Sequence, residues 1–139
     1  MDKVSGQSSD NKISVAQVQP GITYQFSHKV SEADTAIAHN SGSVPVLATP
    51  KVVALCEYAC CEAISSYLQE DYTTVGSHVD INHLAPSSVG DEVEIEVQVS
   101  KVDGRKFVFT VSVSDHKGTA AFGTMTRVMV NRDSFLSRL

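Results

Sequence analysis

Residues 50–68 (PKVVALCEYACCEAISSYL) keep a helical period, whereas residues 73–130 alternate with a period of two. A single long helical segment beside a run of alternating strands leaves few ways to bury both. The helix needs a sheet over its apolar side, and the strands need a partner for theirs. At about 100° per residue, Val53, Ile64 and Leu68 fall in a narrow arc, and Glu57 projects between Ile64 and Leu68. Glu62, Ser65, Ser66 and Tyr58 make the polar side. A carboxylate turned toward a core is costly unless it is paired, hydrogen-bonded or protonated. Glu57 is therefore either a buried polar contact or part of a site.

The strands are readable one by one. Residues 22–30 (ITYQFSHKV) give the first, ahead of the helix, and residues 73–84 the second. In residues 91–102, Val93, Ile95, Val97 and Val99 share one face, and Glu92, Glu94, Glu96 and Gln98 the other. Asp103-Gly104 is a hairpin turn, because both residue types tolerate positive φ. Residues 105–115 alternate again through Phe107, Phe109, Val111 and Val113, and residues 119–130 form the last strand before a short helix. The expected fold is α+β, one long central helix wrapped by an antiparallel five-stranded sheet, the hot-dog layout. A flexible polar arm is expected at 1–20 and the folded domain at 21–139.

Composition removes several classes. Of 139 residues, 42% are hydrophobic, enough for one packed domain, and the net charge of −5 without a basic stripe argues against nucleic acid. No apolar run reaches the roughly 18 residues that span a bilayer, and the N-terminus lacks the apolar centre of a secretory signal. The expectation is a soluble cytoplasmic protein with no membrane partner. Cys56, Cys60 and Cys61 lie on one helix, where adjacent or i,i+4 pairs cannot reach disulfide geometry. No histidine stands at ligand spacing beside them, so no metal is expected. Cys56 and Cys60 suit the core, with Cys61 toward the polar edge.

Two further residues join Glu57 as site candidates. His83 shares its strand parity with Val75, Val79 and Ile81, so it faces the helix, as Glu57 faces the sheet. An inward histidine alone is more often a satisfied core residue. Two titratable groups converging from different elements shift the balance toward a site. Thr49 precedes Pro50 in the pattern of an N-cap followed by a first-turn proline. Eight residues of regular helix separate Thr49 from Glu57 by roughly 12 Å. A shared site then needs a substrate that bridges them or residues from two subunits.

The runs VLATPKVVALCEYACCEA, HVDINHLAPSSVGDEVEIEVQV, VDGRKFVFTVSVSD and GTMTRVMVNRDSF resemble the fluoroacetyl-CoA thioesterase family of hot-dog proteins, over about residues 20–136. The resemblance implies an acyl-CoA thioesterase, releasing a carboxylic acid and free CoA, with Thr49, Glu57 and His83 at the family's catalytic positions. It implies no cofactor beyond the CoA thioester substrate, and a homodimer or dimer of dimers. Arg127 matches a position usually basic in the family, with no assigned duty. Residues 31–49 lack the aromatic residues that shield the family's acyl pocket, so a generic short-chain or other acyl thioester is expected instead.

The residue types suit that chemistry. Glu57 serves as general base or as nucleophile through a mixed anhydride, His83 orients it and passes a proton to the leaving thiolate, and Thr49 holds the acyl group or water. Amides near residues 51–53, at the helix start, polarise the carbonyl. Lys51, Arg105 and Lys106 are candidates for a nucleotide rim, though each is more simply a solvated charge. The alternatives are a hot-dog hydratase or dehydratase acting on enoyl or hydroxyacyl thioesters, and a non-catalytic thioester-binding protein.

Overall fold

A computed structural model describes residues 17–139. Residues 1–16 of the arm expected at 1–20 lie outside the described residues. Val18, near the end of that expected arm, is only 2% exposed and belongs to the core. The elements run β1 (Thr23–Lys29), α1 (Thr49–Ile64), β2 (Tyr72–His83), β3 (Glu92–Asp103), β4 (Lys106–Asp115), β5 (Gly118–Asn131) and the short α2 (Arg132–Leu136). One-turn 3-10 segments occupy Glu32–Asp34 and Ser65–Tyr67. The five strands form one antiparallel sheet in the order β1-β3-β4-β5-β2, curved around α1, which is the hot-dog arrangement expected.

Alternation explains the sheet's inner face. Val93, Ile95, Val97 and Val99 of β3 and Phe107 and Phe109 of β4 are at most 1% exposed. Each side chain of this size contributes about 1.5–3 kcal/mol by leaving water. The β3–β4 hairpin closes at Asp103 paired with Lys106, with Gly104 at φ +61, as the Asp-Gly pair predicts.

The helix is rotated from the orientation expected of it. Its buried stripe is Val52, Leu55, Cys56, Ala59, Cys60, Ala63 and Ile64, so Ile64 of the expected arc is buried while Val53 and Glu57 lie on the flank of that stripe. Small residues in this stripe let α1 sit close to the sheet, so the most periodic large residues do not mark its centre. Burial at Cys56 pushes its thiol up to about 12, and Cys60 is pushed up by the same cause; neither is an accessible nucleophile.

Strand β2 also departs from simple alternation. Gly76 pairs with Arg127 and His78 with Thr126, so Ser77 is an extra residue bulged out of the ladder. Thr74 and Gly76 face inward before the bulge, and Val79, Ile81 and His83 face inward after it, opposite Met125, Gly123 and Ala121. Val75 consequently points to the other side from His83, contrary to the shared parity expected. The inward orientation of His83 itself stands.

Candidate active site

The helix start sits one position away from the place its sequence suggests. Ala48 is the N-cap, with extended φ −71° and ψ 141°, and Thr49 and Pro50 open the first turn. Thr49 therefore does not cap α1. Its hydroxyl instead meets His83 Nδ1 at 2.7 Å, joining the first turn of α1 to the last residue of β2. The amide of Val52 is bonded to the Ala48 carbonyl at 3.0 Å, which removes it from the set expected to polarise a carbonyl.

His83 is a partly buried imidazole with one nitrogen engaged by Thr49 and the other, Nε2, buried without a hydrogen-bond partner among the described residues. Burial pushes its pKa below the ordinary 6.5, partly offset by the Ala85 backbone. The ring is thus held neutral near pH 7, the form that accepts a proton. A buried polar atom is ordinarily paired with protein or with water, and leaving it unpaired is expensive. Thr49 and His83 open on a cavity of about 280 Å³ beneath the segment that precedes α1.

Glu57 lies elsewhere within the protomer. Its carboxylate, on a side chain 39% exposed, accepts a hydrogen bond from Arg127 Nη1 at 3.3 Å. Arg127 is 8% exposed and fixed by Thr74, donating from Nε to Oγ1 and from Nη2 to the backbone oxygen, both at 2.9 Å. Gly76 makes this approach possible, because a Cβ there would stand 2.8 Å from Glu57 Oε2. Among the described residues, no hydrogen bond joins Glu57 to Thr49 or His83. The structure thus brings Thr49 and His83 together and sets Glu57 with Arg127 further along the helix. Arg127 had a detectable signal in its parity: it interrupts the inward apolar series Ala121, Met125, Met129 on β5.

A second polar cluster touches the same first turn. Asp34, 5% exposed, binds His28 Nε2 at 2.8 Å and the Ser31 amide at 2.8 Å, with Lys51 Nζ 3.6 Å from its other oxygen. Burial raises its pKa, but the hydrogen bonds from Ser31 and His28 outweigh that and bring it down to about 2. Lys51 is thereby tied to Asp34, and Arg105 donates to the Met129 carbonyl at 3.1 Å. Both have structural partners rather than standing free for a nucleotide. Among the described residues, no helix is long and apolar enough to cross a membrane.

Comparison with known proteins agrees with this architecture. The family model of fluoroacetyl-CoA-specific thioesterases matches residues 30–133. The fluoroacetyl-CoA thioesterase of Streptantibioticus cattleyicolor is 28% identical over 94 residues, covering 68% of each chain. A crystal structure of a fluoroacetyl-CoA thioesterase superposes with a TM-score of 0.82 at 23% identity, over 87% of this chain and 94% of that one. A hot-dog-like protein from Thermanaerovibrio acidaminovorans gives 0.83 at 27% identity, over 88% and 91%. With three-quarters of its length matched and the same helix-in-sheet architecture, the chain belongs to the fluoroacetyl-CoA-specific thioesterase family of hot-dog thioester hydrolases.

Proposed function

We propose that the protein hydrolyses an acyl-CoA thioester to a carboxylic acid and free CoA, using Thr49, His83 and Glu57. The observation that carries this reading is the 2.7 Å contact between the Thr49 hydroxyl and a desolvated, neutral His83 at the wall of a cavity. In the proposed reaction, Glu57 activates a water as general base, or attacks the thioester carbonyl itself to give a mixed anhydride that a water then hydrolyses, freeing the acid and Glu57. The Thr49 hydroxyl positions the acyl oxygen or the water. His83 takes up the proton released and returns it to the departing thiolate. The carbon–sulfur bond breaks as the new carbon–oxygen bond forms, and preorganised donors stabilise the charge between.

Glu57 reaches such a site from a second protomer. Strand β2 is an edge of the sheet, with unpaired backbone groups along its outer side. Val79 has inward parity yet is 44% exposed, because nothing among the described residues covers it. A homodimer joined at this edge covers Val79 and brings the exposed Glu57 carboxylate toward the partner's helix start. CoA thioesters are intracellular metabolites, so the proposal places the enzyme in the cytoplasm.

Complementation tests the assignment. Glu57→Gln and His83→Ala are each expected to lower acyl-CoA turnover by roughly 10²–10⁴-fold. Mixed and refolded together in equal amounts, the two inactive variants should recover about a quarter of wild-type activity, since half the dimers are mixed and each holds one intact site. Recovery of nothing places each site within one chain. Turnover within a few-fold of wild type for both single variants removes these residues from the mechanism.

A further inference from the structure

The cavity beside Thr49 and His83 has a composition that selects among acyl groups. Ala36, Val44, Val46 and Leu47 wall it from the segment before α1, and Leu84 and Ala85 from the end of β2. Ser41 and Thr49 add a polar side to it; among the described residues of one protomer, His83 is the one ionisable side chain of the lining, and no Phe, Tyr or Trp belongs to it. Two apolar side chains stand exposed at its rim, Val44 at 53% and Leu84 at 62%. Exposed apolar side chains gathered at the mouth of a cavity gain by being covered.

Volume sets the scale. A water takes about 30 Å³ of liquid and a methylene is of about that size, so a two-carbon acyl group leaves most of the 280 Å³ unfilled. We propose that this cavity holds the tail of a neutral, apolar acyl group of about four to eight carbons, straight, branched or aromatic. The proposal rests on the thioesterase reading and adds the class of its substrate. Dicarboxylic acyl groups are disfavoured, because among the described residues of one protomer no Lys or Arg lines the cavity to pair with a second carboxylate. Each methylene buried against these walls should improve recognition by about fourfold.

The test is a panel of acetyl-, butyryl-, hexanoyl-, phenylacetyl- and succinyl-CoA with released thiol monitored. It is run beside calorimetric binding of the non-hydrolysable thioethers S-ethyl-CoA and S-hexyl-CoA to the wild-type protein. The expected result is a kcat/KM for hexanoyl- or phenylacetyl-CoA at least tenfold above that for acetyl-CoA, with succinyl-CoA poorest. S-hexyl-CoA should bind at least tenfold tighter than S-ethyl-CoA. Val44→Phe, at an exposed rim position where a larger ring is tolerated, should shrink the hexanoyl-to-acetyl ratio at least tenfold. Tighter binding of the hexyl thioether with no turnover of any ester supports the cavity assignment and overturns hydrolysis. Acetyl-CoA or succinyl-CoA as the best substrate, or equal binding of the two thioethers, overturns the cavity assignment.

Discussion

Two histidines are tied to the start of α1 or to its immediate approach, and they are built to opposite ends. His28 donates into Asp34, which is also held by the Ser31 amide and hydroxyl and faces Lys51 of the first helical turn. Every oxygen of that carboxylate has a partner. His83 meets Thr49 of the same turn at 2.7 Å, yet its second nitrogen is buried with no partner among the described residues. A satisfied polar cluster rigidifies the backbone around it, whereas an incompletely satisfied one stores the capacity to bind or to move a proton. The difference teaches that burial and hydrogen bonding must be read together: the ionic cluster anchors the helix start, and the imidazole beside it keeps one nitrogen unpaired among the described residues.

The comparison breaks first at catalysis. His83→Ala should remove turnover by the factor given above while leaving the thermal midpoint within a few degrees, measured by calorimetry. Asp34→Asn should behave in reverse, costing about 2 kcal/mol of stability, from the pKa drop to about 2, with turnover largely kept at temperatures below unfolding. A large loss of turnover in folded Asp34→Asn would show that the two clusters are one functional unit.

Proton linkage sharpens the contrast. Asp34 is depressed from 3.8 to about 2, so its contribution is full above about pH 4 and is lost as pH falls toward 2. His83 is displaced in the direction that keeps it neutral, so activity that needs the neutral ring should be flat near pH 7 and decline only at a midpoint below 6.5. Acid denaturation and the acid limb of kcat/KM should therefore separate. A limb centred above 6.5 would contradict a desolvated His83 in that role. This shift of the limb is the smallest effect of the set, and a kcat/KM titration from pH 5 to 8 reads it.

Much of this frame is visible in the residues themselves. The five strands, the hairpin at Asp103-Gly104 and the terminal helix opening after Asn131 follow from alternation and turn chemistry, since each is decided by neighbours in sequence. What escapes local pattern depends on register. The bulge at Ser77 comes from pairing with β5, which no alternation in β2 alone reports. Thr49 has the chemistry of a cap, but Ala48 takes that position and frees the hydroxyl for a residue 34 positions away. The ties from Arg127 to Glu57 and Thr74 span 70 and 53 positions, so their meaning appears only when three elements are assembled. The Asp34 cluster is similarly hidden in a segment whose polar, small residues suggest an irregular loop.

The bulge has a consequence for how this strand carries two duties. Gly76, which makes room for Glu57, and His83, which meets Thr49, are seven positions apart, an odd interval that a regular strand would send to opposite surfaces. Ser77 absorbs the mismatch and works as a phase shifter. Each half of β2 keeps its own rhythm and serves its own polar contact, while a single ribbon of backbone delivers both to the interior.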